Sequence, residues 1–233
     1  MPRFFKFFLL FAFAVLSAPL AGQTTDIKGT WTAELRNARA FLQIRTTPPE
    51  DWNGDRWNSD WSMGQTFPIE ELAGIPANDD QFTATSIKFD LRREAGTLAM
   101  EGAFRDGRGA GLFTFTPRRE YAAEMKSLGF ADDLPLWRRF QLALHDVGPK
   151  YIGALKAEGY DKLPLDQIQR ARTHGVTIDY IRDLKAQGFR GVLFETLVRT
   201  RDHGVTGDYI KALKAEATRV RRSRSSSARA ITA

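Results

Sequence analysis

The sequence predicts an α+β protein, a small antiparallel β domain followed by a short α-helical repeat array of about 29 residues per unit. Three observations carry this expectation. The segments His145-Asp146-Val147-Gly148, His174-Gly175-Val176-Thr177 and His203-Gly204-Val205-Thr206 are near-copies whose histidines lie 29 residues apart. Each is followed by a tyrosine, Tyr151, Tyr180 or Tyr209, and then by Leu-Lys-Ala beginning at Leu155, Leu184 or Leu213. Ahead of them, from Ile27 to Phe115, apolar residues alternate with polar ones between short turns, the period of strands with one buried face.

The chain opens with Arg3 and Lys6, an apolar run from Phe7 to Val15, and small residues at Ser17, Ala18, Ala21 and Gly22. That order reads as a secretory signal peptide over residues 1–22, so the expected location is periplasmic or secreted. The run is short for a membrane span, and membrane attachment is expected only through an uncleaved signal segment. Leu20-Ala21-Gly22 has the look of a lipoprotein signal, but Gln23 stands where the lipidated cysteine would be.

The β domain is expected over residues 23–117. Trp31, Ala33 and Leu35 share one face of a first strand, Ile27 to Arg36, and Ala40, Leu42 and Ile44 mark a second. Residues from Thr46 to Gly64 form a polar, turn-rich segment carrying Trp52, Trp57 and Trp61, and Thr66 to Leu72 suggests a third strand. A three-stranded meander follows: Ile87, Phe89 and Leu91, a turn at Glu94-Ala95-Gly96, then Leu98 to Phe104, a turn at Asp106-Gly107, and Gly111 to Phe115.

Residues 118–217 hold the array. Thr177 is placed to cap a helix with its side-chain oxygen, Asp179 sits in the electropositive first turn, and Tyr180, Ile181 and Leu184 share a face. Gly188 can take the left-handed conformation that ends the helix, as can Gly129 and Gly159 at the matching places, and Phe189 follows where a Schellman cap wants an apolar residue. A second helix in each unit, about 166–173 and 194–202, ends at the His-Gly pair. The first unit puts Gly148-Pro149 in place of Thr177, with proline at the first helical position. Residues 218–233, rich in arginine and serine, are expected to be a basic disordered tail.

Composition narrows the chemistry. With 42% hydrophobic residues, 17 Phe and 5 Trp the chain has ample material for packed cores. With no cysteine it can form no disulfide, thiol nucleophile or cysteine-bound zinc site. The net charge of +6 lies at the ends: Arg3 and Lys6 supply +2 and the five arginines from Arg219 to Arg229 supply +5, which leaves −1 for the body. A near-neutral body carries no footprint for a polyanion, so no nucleic-acid partner is expected.

Several residues stand out as candidates. His145, His174 and His203 are all the histidines of the chain. They suit either a metal or proton-sensing row or, at helix C-termini before a left-handed residue, structural caps. Equivalent positions of a stacked array lie about 10 Å apart, too far to share one ion, which favours the caps and predicts no metal. Trp52, Trp57 and Trp61 among Asn53, Asp55, Asn58 and Asp60 suit a platform for a sugar or peptide, or a lid over the open end of the β core. Asp51, Asn53 and Asp55 open like a calcium loop, but Arg56 and Ser62 stand where its glycine and glutamate belong. Gly29-Thr30-Trp31 resembles the Gly-x-Trp signature of lipocalin-like barrels. Arg170, Arg182 and Arg199 are expected on exposed repeat surfaces as interaction residues. No Gly-x-Ser-x-Gly, phosphate-binding glycine loop or His-Glu-x-x-His occurs, so neither an enzyme nor a cofactor is expected.

The helical half resembles a set of largely uncharacterised exported bacterial proteins built on a His-Gly-Val-Thr-Pro-Glu-Phe-Ile and Leu-Lys-Ala-Leu-Gly-Tyr repeat. The matching residues are His174-Gly175-Val176-Thr177, Tyr180-Ile181, and Leu184-Lys185-Ala186 with Gly188-Phe189. In some relatives such repeats are attached to membrane metallopeptidases of the β-lactam-sensor type. This chain lacks the zinc motif, so that activity is not implied. It departs from the pattern at Ile178 and Gly207, where the repeat prefers proline, and at Pro164 and Leu193, where a serine caps the second helices. The expectation is an exported, non-enzymatic binding or scaffold module that meets another cell-envelope protein. The alternative is a small-ligand carrier using the β domain and its tryptophans.

Overall fold

The computed structural model describes residues 26–49, 60–76, 80–131 and 133–231, with side chains through residue 221. The chain is α+β: a curled antiparallel sheet comes first and seven helices follow among the described residues.

Among the described residues the sheet has seven strands: β1 (Ile27–Arg36), β2 (Arg39–Thr46), β3 (Trp61–Pro68), β4 (Leu72–Ala73), β5 (Ala84–Arg93), β6 (Gly96–Arg105) and β7 (Arg108–Pro117). Their order is β3-β2-β1-β7-β6-β5-β4, with neighbours antiparallel. The first and last long strands therefore pair at its centre. A flat sheet of this width would hold β3 and β4 about 29 Å apart. Yet only the 3-10 turn Ile69–Glu71 joins Pro68 to Leu72, and four residues reach at most about 14 Å. The sheet must curl until its edges approach at that end.

Alternation puts Trp31, Ala33 and Leu35 of β1, and Ala40, Leu42 and Ile44 of β2, inside the curl. The hairpin turns use left-handed residues, Asn37 and Ala38 between β1 and β2, and Asp106 and Gly107 between β6 and β7, a choice that matches the twist of the strands. The tryptophan-rich segment was expected to be polar loop as far as Gly64, but β3 already begins at Trp61. Cross-strand pairing from Trp61 with Thr46 to Pro68 with Arg39 supplies the ladder that its composition hides.

Aromatic rings fill the interior. The Trp31 indole stands edge-on to Phe89 with centroids 5.0 Å apart, and its N–H donates to the carbonyls of Glu101 (3.2 Å) and Leu112 (3.0 Å). The facing pair Gly102 and Gly111 leaves room for this ring, since a Cβ at Gly102 would meet it at 2.8 Å.

The helices are α1 (Tyr121–Ser127), α2 (Leu136–Leu144), α3 (Pro149–Ala157), α4 (Leu165–Thr173), α5 (Ile178–Ala186), α6 (Phe194–Asp202) and α7 (Gly207–Ile231). Helix α2 plugs the curl. Its Phe140 stacks on Phe113 with centroids 5.8 Å and planes 2° apart, and its Trp137 meets Trp61 edge-on at 5.4 Å. Beyond it, α3 packs on α5, α4 on α6 and α5 on α7. Helix α7 continues through residues 218–231, where composition predicts a disordered tail. Ala and Arg in that stretch are good helix formers, and just before it Glu216 pairs with Arg219 one turn on at 2.8 Å.

Candidate functional site

Each helical unit ends its two helices by one device. Gly129, Gly159 and Gly188 all have left-handed φ, +91°, +90° and +90°, and the amide after each donates back to the carbonyl of Met125, Leu155 or Leu184. Those are the expected caps of the first helices. Phe189 makes this hydrogen bond, but its ring stays 48% exposed. His145, His174 and His203 occupy the C-cap positions of α2, α4 and α6. The left-handed residue after them is Asp146, Gly175 or Gly204.

Imidazole, however, is not what meets the free carbonyls there. The His174 ring pairs with Asp202 at 2.6 Å. The Nδ1 atom of His145 is buried without a hydrogen bond, and burial, then Arg172 and Arg138, push its pKa down to about 4. The carbonyls go to arginines of the following unit: Arg172 donates to His145 and Arg201 to Gly175, both at 3.1 Å. The same guanidinium groups lie over the rings of Tyr151 and Tyr180, at 4.8 and 5.4 Å. Arg172 and Arg201 are 29 residues apart, a signal available in the sequence but not read from it.

Tyrosines and lysines complete the stacking contacts. The Tyr121 hydroxyl donates to the Val147 carbonyl (2.8 Å) and the Tyr151 hydroxyl to Val176 (2.7 Å), while Tyr180 meets the Thr200 hydroxyl (2.8 Å). Burial raises the Tyr151 hydroxyl to about 12. Tyr209, at the same place on α7, is 52% exposed. Lys185 of one Leu-Lys-Ala donates to the Glu158 carbonyl at 2.8 Å, and Lys214 of the next to the Gln187 carbonyl. Lys185 and Arg182 together hold the Glu158 carboxyl below its usual range.

The exposed arginines divide. Arg170 pairs with Glu195 at 3.1 Å and Arg182 with Glu158 at 2.8 Å, so both join neighbouring elements. Arg199 is exposed and makes no ion pair among the described residues. Trp52 and Trp57 lie outside the described residues. Trp61 is half-buried against Trp137 and Phe140, as a lid on the β core would be.

Two adjoining grooves, which share Tyr160, Asp161 and Leu163, lie open among the helices. The first, about 510 Å³, runs between Gly129, Phe130, Lys156 and Leu163. The second, about 770 Å³, runs between Gly159, Tyr160, Lys185 and Val192. Each residue of the second set lies 29 or 30 places after its counterpart in the first. Their floors are apolar: Ile152, Leu155 and Ile168 in the first, Tyr160, Leu163 and Phe194 in the second. The sequence reading missed both, since each is made by residues from separate turns that meet only after stacking.

Among the described residues, no group of three or more acidic or histidine side chains converges as a metal site would. No helix of the described residues is long and apolar enough to cross a membrane. No protein-family model matches the chain, and comparison with curated proteins and with solved structures returns no match.

Proposed function

We propose that the protein is an exported, non-enzymatic binding or scaffold module whose helices form a repeat array of about 29 residues per unit and act through its surface. The observation that carries this reading is the pair of grooves, built from the same four places of consecutive units. The recurring Tyr-to-Val, Arg-to-carbonyl and Lys-to-carbonyl hydrogen bonds support the array. The partner class is another protein of the cell envelope, and the opening residues, with their signal-like order, support export.

The carrier alternative finds no support among the described residues. The interior that would hold a ligand is filled by Trp31, Phe89, Phe113, Phe115 and Phe140.

A photo-crosslinking residue placed at Leu193 and, in a second protein, at Phe41 on the outer face of the sheet tests this. In its own cell envelope the full chain is expected to give discrete protein adducts from Leu193 and none of them from Phe41. Adducts from Phe41 alone, or from neither, would overturn the module.

A further inference from the structure

Resting on the reading of the helices as a binding surface, we propose that the two grooves take one extended, acidic peptide that carries apolar side chains. The apolar part follows from the floors and from what stands at their lips. Leu128 is 42% and Leu193 76% exposed, although both border the grooves. Large side chains left in water beside an apolar trough mark a surface that gains by being covered.

The acidic part follows from charge. Lys156 and Lys162 line the first groove and Arg190 the second, all three exposed and without an ion pair among the described residues. Of the acids nearby, Glu158 holds Lys185 and Arg182, while Asp161, which borders both grooves, keeps its charge and accepts the Lys162 amide at 3.0 Å. Four cations, Lys156, Lys162, Lys185 and Arg190, thus line the grooves against two carboxylates, Glu158 and Asp161, which leaves an excess of positive charge. A peptide of opposite charge is the complement.

Lys162 adds an independent mark. Its φ is +57°, and its counterpart in the next unit, 29 residues later, is Gly191 at +65°. A left-handed backbone suits glycine and burdens lysine. Keeping a cation there, at a cost to the fold, is accounted for by a charge that the first groove needs. Stacked units repeat at about 10 Å, which a polyproline-like chain covers in about three residues while returning its side chains to the same side. The peptide therefore carries apolar residues three apart with Asp or Glu between them.

The test is a selection of displayed random dodecapeptides on the full mature chain, followed by fluorescence anisotropy of the winners. Expected are peptides with that spacing and net negative charge. Their affinity should fall about tenfold or more in the triple variant Lys156→Glu, Lys162→Glu, Arg190→Glu, and several-fold in Leu193→Ser, which keeps every charge. All four positions are exposed, so the variants are expected to keep the wild-type circular dichroism and melting temperature. Winners without acidic bias, or bound equally by the triple variant, would overturn the acidic-peptide inference and leave the module intact. So would a failed selection if Leu193 crosslinks still trapped envelope proteins. A failed selection with no crosslinks from Leu193 would overturn both.

Discussion

The segment around Gly148 and the two later segments around Thr177 and Thr206 share a sequence pattern, yet they start their helices differently. In the distal units the hydroxyls of Thr177 and Thr206 accept the Tyr180 and Tyr209 amides, each at 3.1 Å, so each helix caps itself. The first unit has Gly148 at that place, and its cap comes from the β domain: the Glu94 carboxylate, in the β5–β6 turn, accepts the Lys150 amide at 3.1 Å. A side chain at Gly148 would collide with that carboxylate.

Asp146 likewise replaces the Gly175 and Gly204 of later units, at a left-handed φ of +53°. Its oxygens pair with Arg172 (2.6 Å) and approach Arg93 (3.8 Å), which itself pairs with Glu71 beside β4. The departures from the repeat are therefore the joints to the sheet. An irregularity in a repeat is informative about what touches it.

The largest effect should come from the plug. Phe140→Ala removes a ring stacked on Phe113 and flanked by Trp137, Phe115 and Trp61, and is expected to cost about 3–5 kcal/mol. Hydrogen exchange should then accelerate in sheet and helices alike. Leu197→Ala, buried in α6, should accelerate it only toward the C-terminal end. If both variants opened the same amides, the two regions would be one cooperative unit.

Next comes regularising the first unit. Gly148→Thr, which restores the distal sequence, should destabilise by about 1–3 kcal/mol in urea melts because the new side chain displaces Glu94. Glu94→Ala in the same chain should recover part of that loss. If Gly148→Thr proved neutral, Glu94 would not be the cap.

Acid should also act on the first of these segments through His145. His145 is pushed down to about 4 in the folded chain against an ordinary 6.5, so the unfolded chain takes up a proton first. The stability tied to its neutral ring is whole above pH 6.5 and drains away as pH falls toward 4. It is on the order of 1–3 kcal/mol. His145→Gln should flatten that limb of a stability–pH profile.

Smaller effects belong to the distal surface. Thr177→Ala should cost about 1 kcal/mol through its lost cap. Arg199→Glu, on an exposed position without an ion pair among the described residues, should move the melt by less than about 0.5 kcal/mol.

The strands were legible because one face of each meets the core, and a period of two records that directly. The helix ends were legible at Thr177, Gly188 and the His-Gly pairs because capping is local chemistry. The curl was not, since nothing in Ile69–Glu71 says which edges it joins until the strand order is known. Nor were the grooves or the roles of Glu94, Arg93 and Arg172, which exist only between segments far apart in sequence. Gly148 in place of threonine was visible as a departure, but its reason sits on another strand.

The pairing of β1 with β7 sets a timetable for the molecule. Ile27 lies opposite Phe115, so the first strand waits for the last, whereas the helices bond to neighbours about 25 residues away. Closing so long a loop is slow, and local helices are fast. A chain appearing from its N-terminus would hold Leu42 and Ile44 uncovered until residue 115 arrives, and α2 could seal the interior only after that. The slow phase of refolding is expected to report sheet closure, with the local contacts of the helices formed ahead of it.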